Sequence, residues 1–346
     1  MILVGTICAA LWIIGWAMSA PIQQRWIMIV VVFCAVILGH LVLPIAHPFR
    51  MNTGGSWQVW AFLAAFVVII LVYRQGLRKI RGKMQPEAAA NDGAMSDTEL
   101  ERYARHIVMP EIGGSGQMRL RKSRVLVVGA GGLGAPALQY LSAAGVGTIG
   151  IVDDDVVDAT NLQRQVIHRD EDIGLPKVVS AARALRSLNP YVTVNTYQQR
   201  LTVDIAEAVI SDYDIVLDGT DNFETRYLVN QACVAQAVPL VSGALSQWEG
   251  QVSLFDPVRS GPCYQCIFPS PPAPEFAPSC SQVGVFAALP GVIGSLVAAE
   301  ALKYVLGAGT PLRGRLAIHN ILDGDARIIK IKKRMDCPIC HFHLPD

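Results

Sequence analysis

From Met1 to Tyr73 the chain has no aspartate, no glutamate and no lysine, and Arg25 and Arg50 are the only basic residues there. A stretch of that length without acids is not the surface of a water-exposed domain. The whole chain of 346 residues is 52% hydrophobic and only 16% charged, with a mean hydropathy of +0.37. These values exclude a disordered chain, and 8 cysteines in such a length exclude a small disulfide scaffold. A formal net charge of +1, from 29 basic against 28 acidic residues, gives nothing global to draw the chain to nucleic acid. Internal repeats are absent, and so is the G-x-x-x-x-G-K-[ST] loop of the common NTPases.

What is present divides at Tyr73. Ile2 to Ala20 and Ile27 to Ala46 each approach the roughly 20 apolar residues that cross a hydrocarbon core, and Trp57 to Tyr73 makes a shorter third span. About three transmembrane helices, near 2–20, 27–46 and 57–73, are therefore expected within an anchor over residues 1–73. Arg74, Arg78, Lys79, Arg81 and Lys83 follow at once, so the positive-inside rule puts the remainder in the cytoplasm and makes this a multi-pass protein of the inner membrane. A cleaved signal peptide is the poorer reading of the first span, because nothing basic precedes it. His40 has no acidic partner in the spans and reads as a neutral histidine near a membrane end. Residues 74–95 have the composition of a basic juxtamembrane linker, and residues 96–346 form the expected cytoplasmic domain.

That domain alternates helix and strand patterns. Ser96 and Glu99 make a capping box for a helix to about His106. Strands are expected at Arg124–Val128, Thr148–Val152, Thr193–Tyr197, Ile215–Asp218 and Leu240–Val241, with helices near 135–144, 176–188 and 224–236 between them. Strands from Glu249 to Asp256 and Arg315 to Lys332 flank an apolar helix, Gly291 to Leu306, whose Glu300 and Lys303 mark it as a core or dimer helix rather than a span. The fold class is α/β, a Rossmann-like, doubly wound and mostly parallel sheet.

Four constellations carry chemistry. Gly129, Gly131 and Gly134 form a G-x-G-x-x-G turn between a strand and a helix, with Gly132 inside it, and such turns bring backbone N–H groups against phosphate. Asp153, 19 residues past Gly134, stands where a ribose-binding carboxylate is expected. Asn161, Leu162, Gln163 and Arg164, with Lys177, add two cations suited to a triphosphate; a solvated basic surface is the bland alternative. Asp221 and Asn222, in Asp218-Gly-Thr-Asp-Asn222, follow a strand, where Asp221 suits Mg²⁺ and an Asx turn is the alternative. Cys263, Cys266, Cys337 and Cys340 form two C-x-x-C pairs, a four-thiolate set for structural Zn²⁺ that clips the last segment onto the domain. Cys280 stands apart in a Pro- and Ser-rich loop, as a nucleophile or sulfur acceptor or an incidental thiol. His168 is available to a dehydrogenase as an acid or base, yet reads as a surface residue. A membrane nucleotide sensor would share the spans and the glycine loop, but would need neither the cation–Asp221 set nor the paired cysteines.

Taken together, Gly129 to Gly134, Asn161 to Gln165, Gly174-Leu-Pro-Lys177, Thr220-Asp-Asn222, Val241-Ser-Gly243, Glu249-Gly-Gln251 and the cysteine pairs resemble the HesA/MoeB/ThiF family, bacterial relatives of ubiquitin-activating enzymes, over roughly Ser96 to Cys340. Within it, the pattern is most similar to molybdopterin-synthase adenylyltransferases, with the thiamine-pathway sulfur-carrier adenylyltransferases next. The resemblance implies adenylation, by ATP, of the C-terminal glycine carboxylate of a small ubiquitin-like sulfur carrier ending in Gly-Gly. It implies that Gly132 approaches phosphate, Asp153 holds the ribose, Asn161, Arg164 and Lys177 bind the triphosphate, and Asp221 binds Mg²⁺. It also implies a homodimer in which Arg105 serves the partner's site, and a Cys280 that accepts the acyl group or sulfur. Family members of this type are usually soluble, so the spans are a departure.

Overall fold

The computed structural model describes residues 2–18, 22–44, 47–54, six isolated positions between 58 and 73, 93–272 and 283–341. The chain forms two compact units, Met1–Gln85 and Pro86–Asp346.

The first unit holds the helices Ile2–Ala17, Ile22–Val42 and Pro48–Thr53. The second of these begins earlier than the hydropathy pattern suggests and stops before Pro44, which cannot donate to a continuing helix. Among the described residues of this unit, Gln24–Val42 is long and apolar enough to cross a membrane, whereas the apolar core of the first helix, Val4–Trp16, is too short for that test. The expectation of three clear spans is thus reduced: one helix qualifies, one is short, and the third, 57–73, lies largely outside the described residues. His40 Nε2 meets Thr53 Oγ1 at 2.8 Å, and Thr53 Oγ1 donates to the Phe49 carbonyl at 2.7 Å. A neutral imidazole satisfies that pairing.

The second unit is built on an eight-stranded sheet in the order β3-β2-β1-β4-β5-β6-β7-β8. Strands β1 (Arg124–Val128), β2 (Thr148–Val152), β3 (Thr193–Tyr197), β4 (Ile215–Asp218) and β5 (Leu240–Leu245) are parallel. Strands β6 (Glu249–Phe255), β7 (Arg315–Asn320) and β8 (Asp325–Lys330) continue the sheet antiparallel. The expected strand from Arg315 to Lys332 is therefore a hairpin folded at the Ile321–Gly324 turn. After the exposed Arg124, β1 is apolar because both its faces are covered: Val125 and Val127 join the core under the helices Gly134–Ala144, Lys177–Leu188 and Leu289–Leu306, while Leu126 and Val128 join the opposite core with Val229 and Phe255. Leu289–Leu306 is long and apolar enough to cross a membrane, yet half of its residues are buried in this core, in line with the charged Glu300 and Lys303 on it.

The capping box forms as written, with Ser96 Oγ accepting from the Glu99 N–H and Glu99 Oε2 accepting from the Ser96 N–H, and it starts the helix Asp97–Ile107. The helices Gly113–Lys122 and Val203–Ile210 have no clear sequence signal. The first begins Gly-Gly-Ser-Gly, poor helix formers, and is held by packing: Gln117 is fully buried and donates to the Ala144 carbonyl at 2.8 Å. Because β1 and β4 are neighbours while their connections run to opposite sides, a crevice opens at their carboxyl ends.

Candidate nucleotide-binding cleft

A cleft of about 1020 Å³ occupies that crevice. Its first wall is the glycine loop. Gly129 has φ +95°, a left-handed conformation that glycine adopts without strain, and a Cβ on Gly134 would lie 1.9 Å from the Gly129 carbonyl oxygen. No other residue fits at Gly134, so the loop closes directly onto the start of the helix Gly134–Ala144, whose N-cap residue Leu133 lines the cleft. Asp153, at the end of β2, accepts from the Ala130 N–H at 2.7 Å and the Asp155 N–H at 2.9 Å. Burial pushes its carboxyl above the ordinary range, while those two donors and Lys177 pull the other way.

The cations come from the opposite rim. Asp158 caps the turn Ala159–Asn161 by accepting from the Thr160 N–H and hydroxyl, bonds that hold its carboxyl below the ordinary range. Asn161 Oδ1 then accepts from Arg164 Nη2 at 2.7 Å and helps fix the side chain of Arg164, which lines the cleft. Lys177, the first residue of its helix, is buried and pairs with Asp155 at 2.8 Å. The solvated-surface reading fails for Lys177 on its burial alone.

A third wall is the loop after β4. Asp218 is buried and its Oδ1 accepts from both the N–H and the hydroxyl of Thr220, an Asx turn. Arg226, buried on the helix Phe223–Ala235, donates to Asp218 Oδ2 at 3.2 Å, to Ser242 Oγ at 3.1 Å and to the Thr220 carbonyl. Asn222 caps that helix by accepting from the Thr225 N–H at 2.9 Å, and Asp221 is left exposed on the cleft surface. Sequence reading finds the loop but misses the clamp. Arg226 and Ser242 meet only because β5 lies beside β4.

Of the expected nucleotide-binding residues, Gly129, Gly131, Gly132, Asp153, Arg164, Lys177, Asp221 and Asn222 line this one cleft. Gly134 sits beneath the loop and Asn161 acts through Arg164, whereas Leu162 and Gln163 are not among the lining residues and Gln163 is exposed. Arg105 is exposed on the helix Asp97–Ile107 and does not line the cleft. Cys280 lies outside the described residues. The sequence gives Gln165 no role of its own and leads to the expectation that His168 is at the surface. Gln165 lines the cleft with a buried Oε1 that has no hydrogen-bond partner, an orphan acceptor where a ligand's donor fits. His168 is a buried residue, not a surface one, since its neighbours turn it under the glycine loop.

The four expected metal cysteines are buried and gathered. Sγ separations are 3.8 Å for Cys263–Cys266, 3.6 Å for Cys263–Cys337 and 3.4 Å for Cys266–Cys340. A tetrahedron with metal–sulfur bonds of about 2.3 Å has edges of about 3.8 Å, so this set fits a tetrahedral ion and is far too open for disulfides. A hydrogen bond from the Cys263 thiol pulls Cys266 down to about 4, and the same bond pushes Cys263 up. The Cys263–Cys266 turn also builds the cleft: Tyr264 and Ile267 line it, and the Tyr264 N–H is held by Asn230 Oδ1 at 2.8 Å. The clip therefore adjoins the cleft wall.

The sequence profile described as the ThiF family matches residues 103–339. The chain is similar to the sulfur carrier protein adenylyltransferase of Thermus thermophilus, 50% identical over 246 residues that cover 70% of this chain and 91% of that protein. It is also similar to the SAMP-activating enzyme E1 of Haloferax volcanii, 47% identical over 247 residues that cover 71% and 91%. Among solved structures, E. coli MccB with ATP superposes with a TM-score of 0.60 at 23% identity, covering 69% of this chain and 74% of that one, a likeness of fold.

Proposed function

This chain belongs to the ThiF family, and from that membership we propose that it uses ATP to adenylate the C-terminal glycine carboxylate of a small ubiquitin-like sulfur carrier. One carboxylate oxygen bonds to the α-phosphorus, the bond from that phosphorus to the bridging oxygen breaks, and pyrophosphate leaves with its electron pair. The carrier is released as an acyl adenylate ready to receive sulfur. A molybdopterin-pathway carrier is the first choice, with a thiamine-pathway carrier as the alternative.

The observation that carries this reading is the convergence, around one cleft, of the glycine loop, Arg164, Lys177 and Asp221 from separate segments of the chain. A terminal carboxylate titrates near about 3.5, so it is already an anion at neutral pH and needs no general base. The obstacle is the approach of two anions, which fixed positive charge answers. Gly131 and Gly132 offer N–H groups to phosphate, Asp153 suits the ribose, and Arg164 and Lys177 suit the triphosphate; Lys177 would exchange Asp155 for phosphate oxygen. Asp221, exposed on a clamped loop, is the carboxylate suited to Mg²⁺, which would neutralise charge on the departing pyrophosphate. Beyond the phosphates the cleft runs between the β5–β6 turn and Tyr264–Phe268, a channel for an extended Gly-Gly tail.

Further parts of the proposal rest on the sequence. Zn²⁺ is the ion for the four cysteines, whose spacing and burial support a closed structural site. A homodimer would supply Arg105 to the cleft of a second copy, in keeping with its exposure away from its own. Cys280 would accept the acyl group or sulfur. The anchor at residues 1–73, supported by the apolar Gln24–Val42 helix, would hold residues 96–346 on the cytoplasmic side of the inner membrane. ATP–pyrophosphate exchange by the full chain, with a diglycine-tailed carrier, tests the core of the proposal. Exchange that depends on the carrier and vanishes in Asp221→Ala is expected; no exchange with any diglycine carrier would refute it.

A further inference from the structure

Beneath the glycine loop lies a hydrogen-bonded chain that adenylation, as derived above, does not use. His168 Nε2 meets the Ala130 carbonyl at 2.9 Å, and His168 Nδ1 meets Ser180 Oγ at 2.9 Å. Ser180 Oγ donates to Asp172 Oδ2 at 2.8 Å, and Arg183 donates to Asp172 Oδ1 at 2.6 Å. His168, Ser180 and Asp172 are all buried, at 6%, 1% and 2% exposure.

Proton accounting orders this chain. A carbonyl oxygen only accepts, so Nε2 carries a proton. Asp172, ion-paired with Arg183, also only accepts, so the single hydroxyl proton of Ser180 points to Asp172. Ser180 then has only lone pairs to offer Nδ1, and Nδ1 must carry a proton as well. The completed chain needs the imidazolium. With a neutral ring, the Ser180 proton turns to Nδ1 and Asp172 Oδ2 faces a bare oxygen in a buried site.

Other groups set the balance. Burial pushes the ring below its ordinary value, the Ala130 carbonyl opposes this, and Lys177 adds to it, while Asp153 and Asp172 favour the cation. These residues come from the glycine loop, the end of β2, the turn Asp170–Asp172 and the helix Lys177–Leu188, which together enclose the ring. A polyanion in the cleft adds to the side of the cation.

The Ala130 carbonyl and the Gly131 N–H belong to one planar trans peptide unit and point in opposite directions. A donor that draws the carbonyl down toward His168 aims the Gly131 N–H up toward the cleft, and a charged donor polarises that N–H further. We propose that His168 is a positioning residue for the nucleotide's phosphates, becoming doubly protonated when they bind and, through Ala130, strengthening the Gly131 N–H that faces them. Ser180 and Asp172 are the relay that stabilises this charge. The inference rests on the nucleotide reading of the cleft.

Calorimetric titration of the detergent-solubilised full chain with Mg²⁺–ATP, without carrier, in two buffers of different ionisation heat, counts the protons taken up. His168→Gln retains an amide donor for the Ala130 carbonyl but cannot titrate. Near pH 6.5 and below, the native chain should take up more protons than His168→Gln, and Ser180→Ala should fall between them. If nucleotide raises the His168 titration by one unit, native affinity should fall about tenfold more than that of His168→Gln as pH rises through it. Equal proton uptake in the native chain and His168→Gln, with ATP bound by both, overturns this inference and leaves the nucleotide reading intact. If His168→Gln does not fold, uptake in Ser180→Ala equal to the native chain overturns it instead. Absence of any ATP binding by the native chain overturns the nucleotide reading and this inference with it.

Discussion

Arg226 donates to Asp218, Ser242 and the Thr220 carbonyl from a buried position, so its loss would leave the Asp218 carboxylate alone in the core. Removing one partner of a buried pair costs about 3–5 kcal/mol, and Arg226→Ala should lose that much in chemical denaturation of the full chain. Arg226→Lys retains the charge but cannot span three acceptors with one compact head group. It should unfold near the native midpoint yet need several times more Mg²⁺ for half-maximal pyrophosphate exchange, because the loop bearing Asp221 is less firmly held. An unchanged Mg²⁺ requirement would deny Arg226 any role beyond stability. At this scale the sequence shows which residues touch a ligand better than which residues hold them. Gly129, Arg164, Lys177 and Asp221 belong to short local motifs, whereas the meeting of Arg226 with Ser242 and of His168 with Ala130 depends on the packing of separate segments.

Among elements, the glycine loop has the least room for change. A Cβ at Gly134 would stand 1.9 Å from the Gly129 oxygen, so Gly134→Ala must displace backbone. Overpacking of this kind costs about 1–3 kcal/mol or more, and the expected result is a lower melting temperature together with weakened ATP binding, read by thermal unfolding with and without nucleotide. The cysteine clip makes a second prediction. Tyr264 and Ile267 stand between its ligands and the cleft, so metal removal should both expose the 331–341 segment to limited proteolysis and raise the ATP dissociation constant. Proteolysis that changes with no change in ATP affinity would show that clip and cleft are independent. Helix and strand positions are largely legible here, since β1, β2 and β4 are short, mostly apolar runs bounded by turn residues. Gly113–Lys122 is not, because its helix is imposed by neighbours against poor local propensity.

If Arg105 serves the cleft of a second copy, Arg105→Ala and Asp221→Ala, each inactive, should complement when mixed as exchanging dimers. Half of the dimers would be mixed and each would hold one intact site, so about a quarter of native exchange activity is expected. Failure of mixed dimers to regain activity would deny Arg105 a role in the cleft of a second copy. The apolar helix Gln24–Val42 leads to the expectation that the chain sediments with membranes and resists alkaline extraction; release into the soluble fraction would remove the anchor.

The sequence by itself determined the α/β alternation, the capping box, the glycine turn and the two cysteine pairs, because each depends on residues within a few positions of one another or on a stereochemistry only one residue type permits. Tertiary structure decided the rest. It set β1 beside β4 and so opened the cleft there, buried His168 under the loop it contacts, and joined the metal clip to the cleft wall. These outcomes depend on which distant segments share a burial surface, and hydrophobic burial, being non-directional, leaves that choice to the packing of the whole chain.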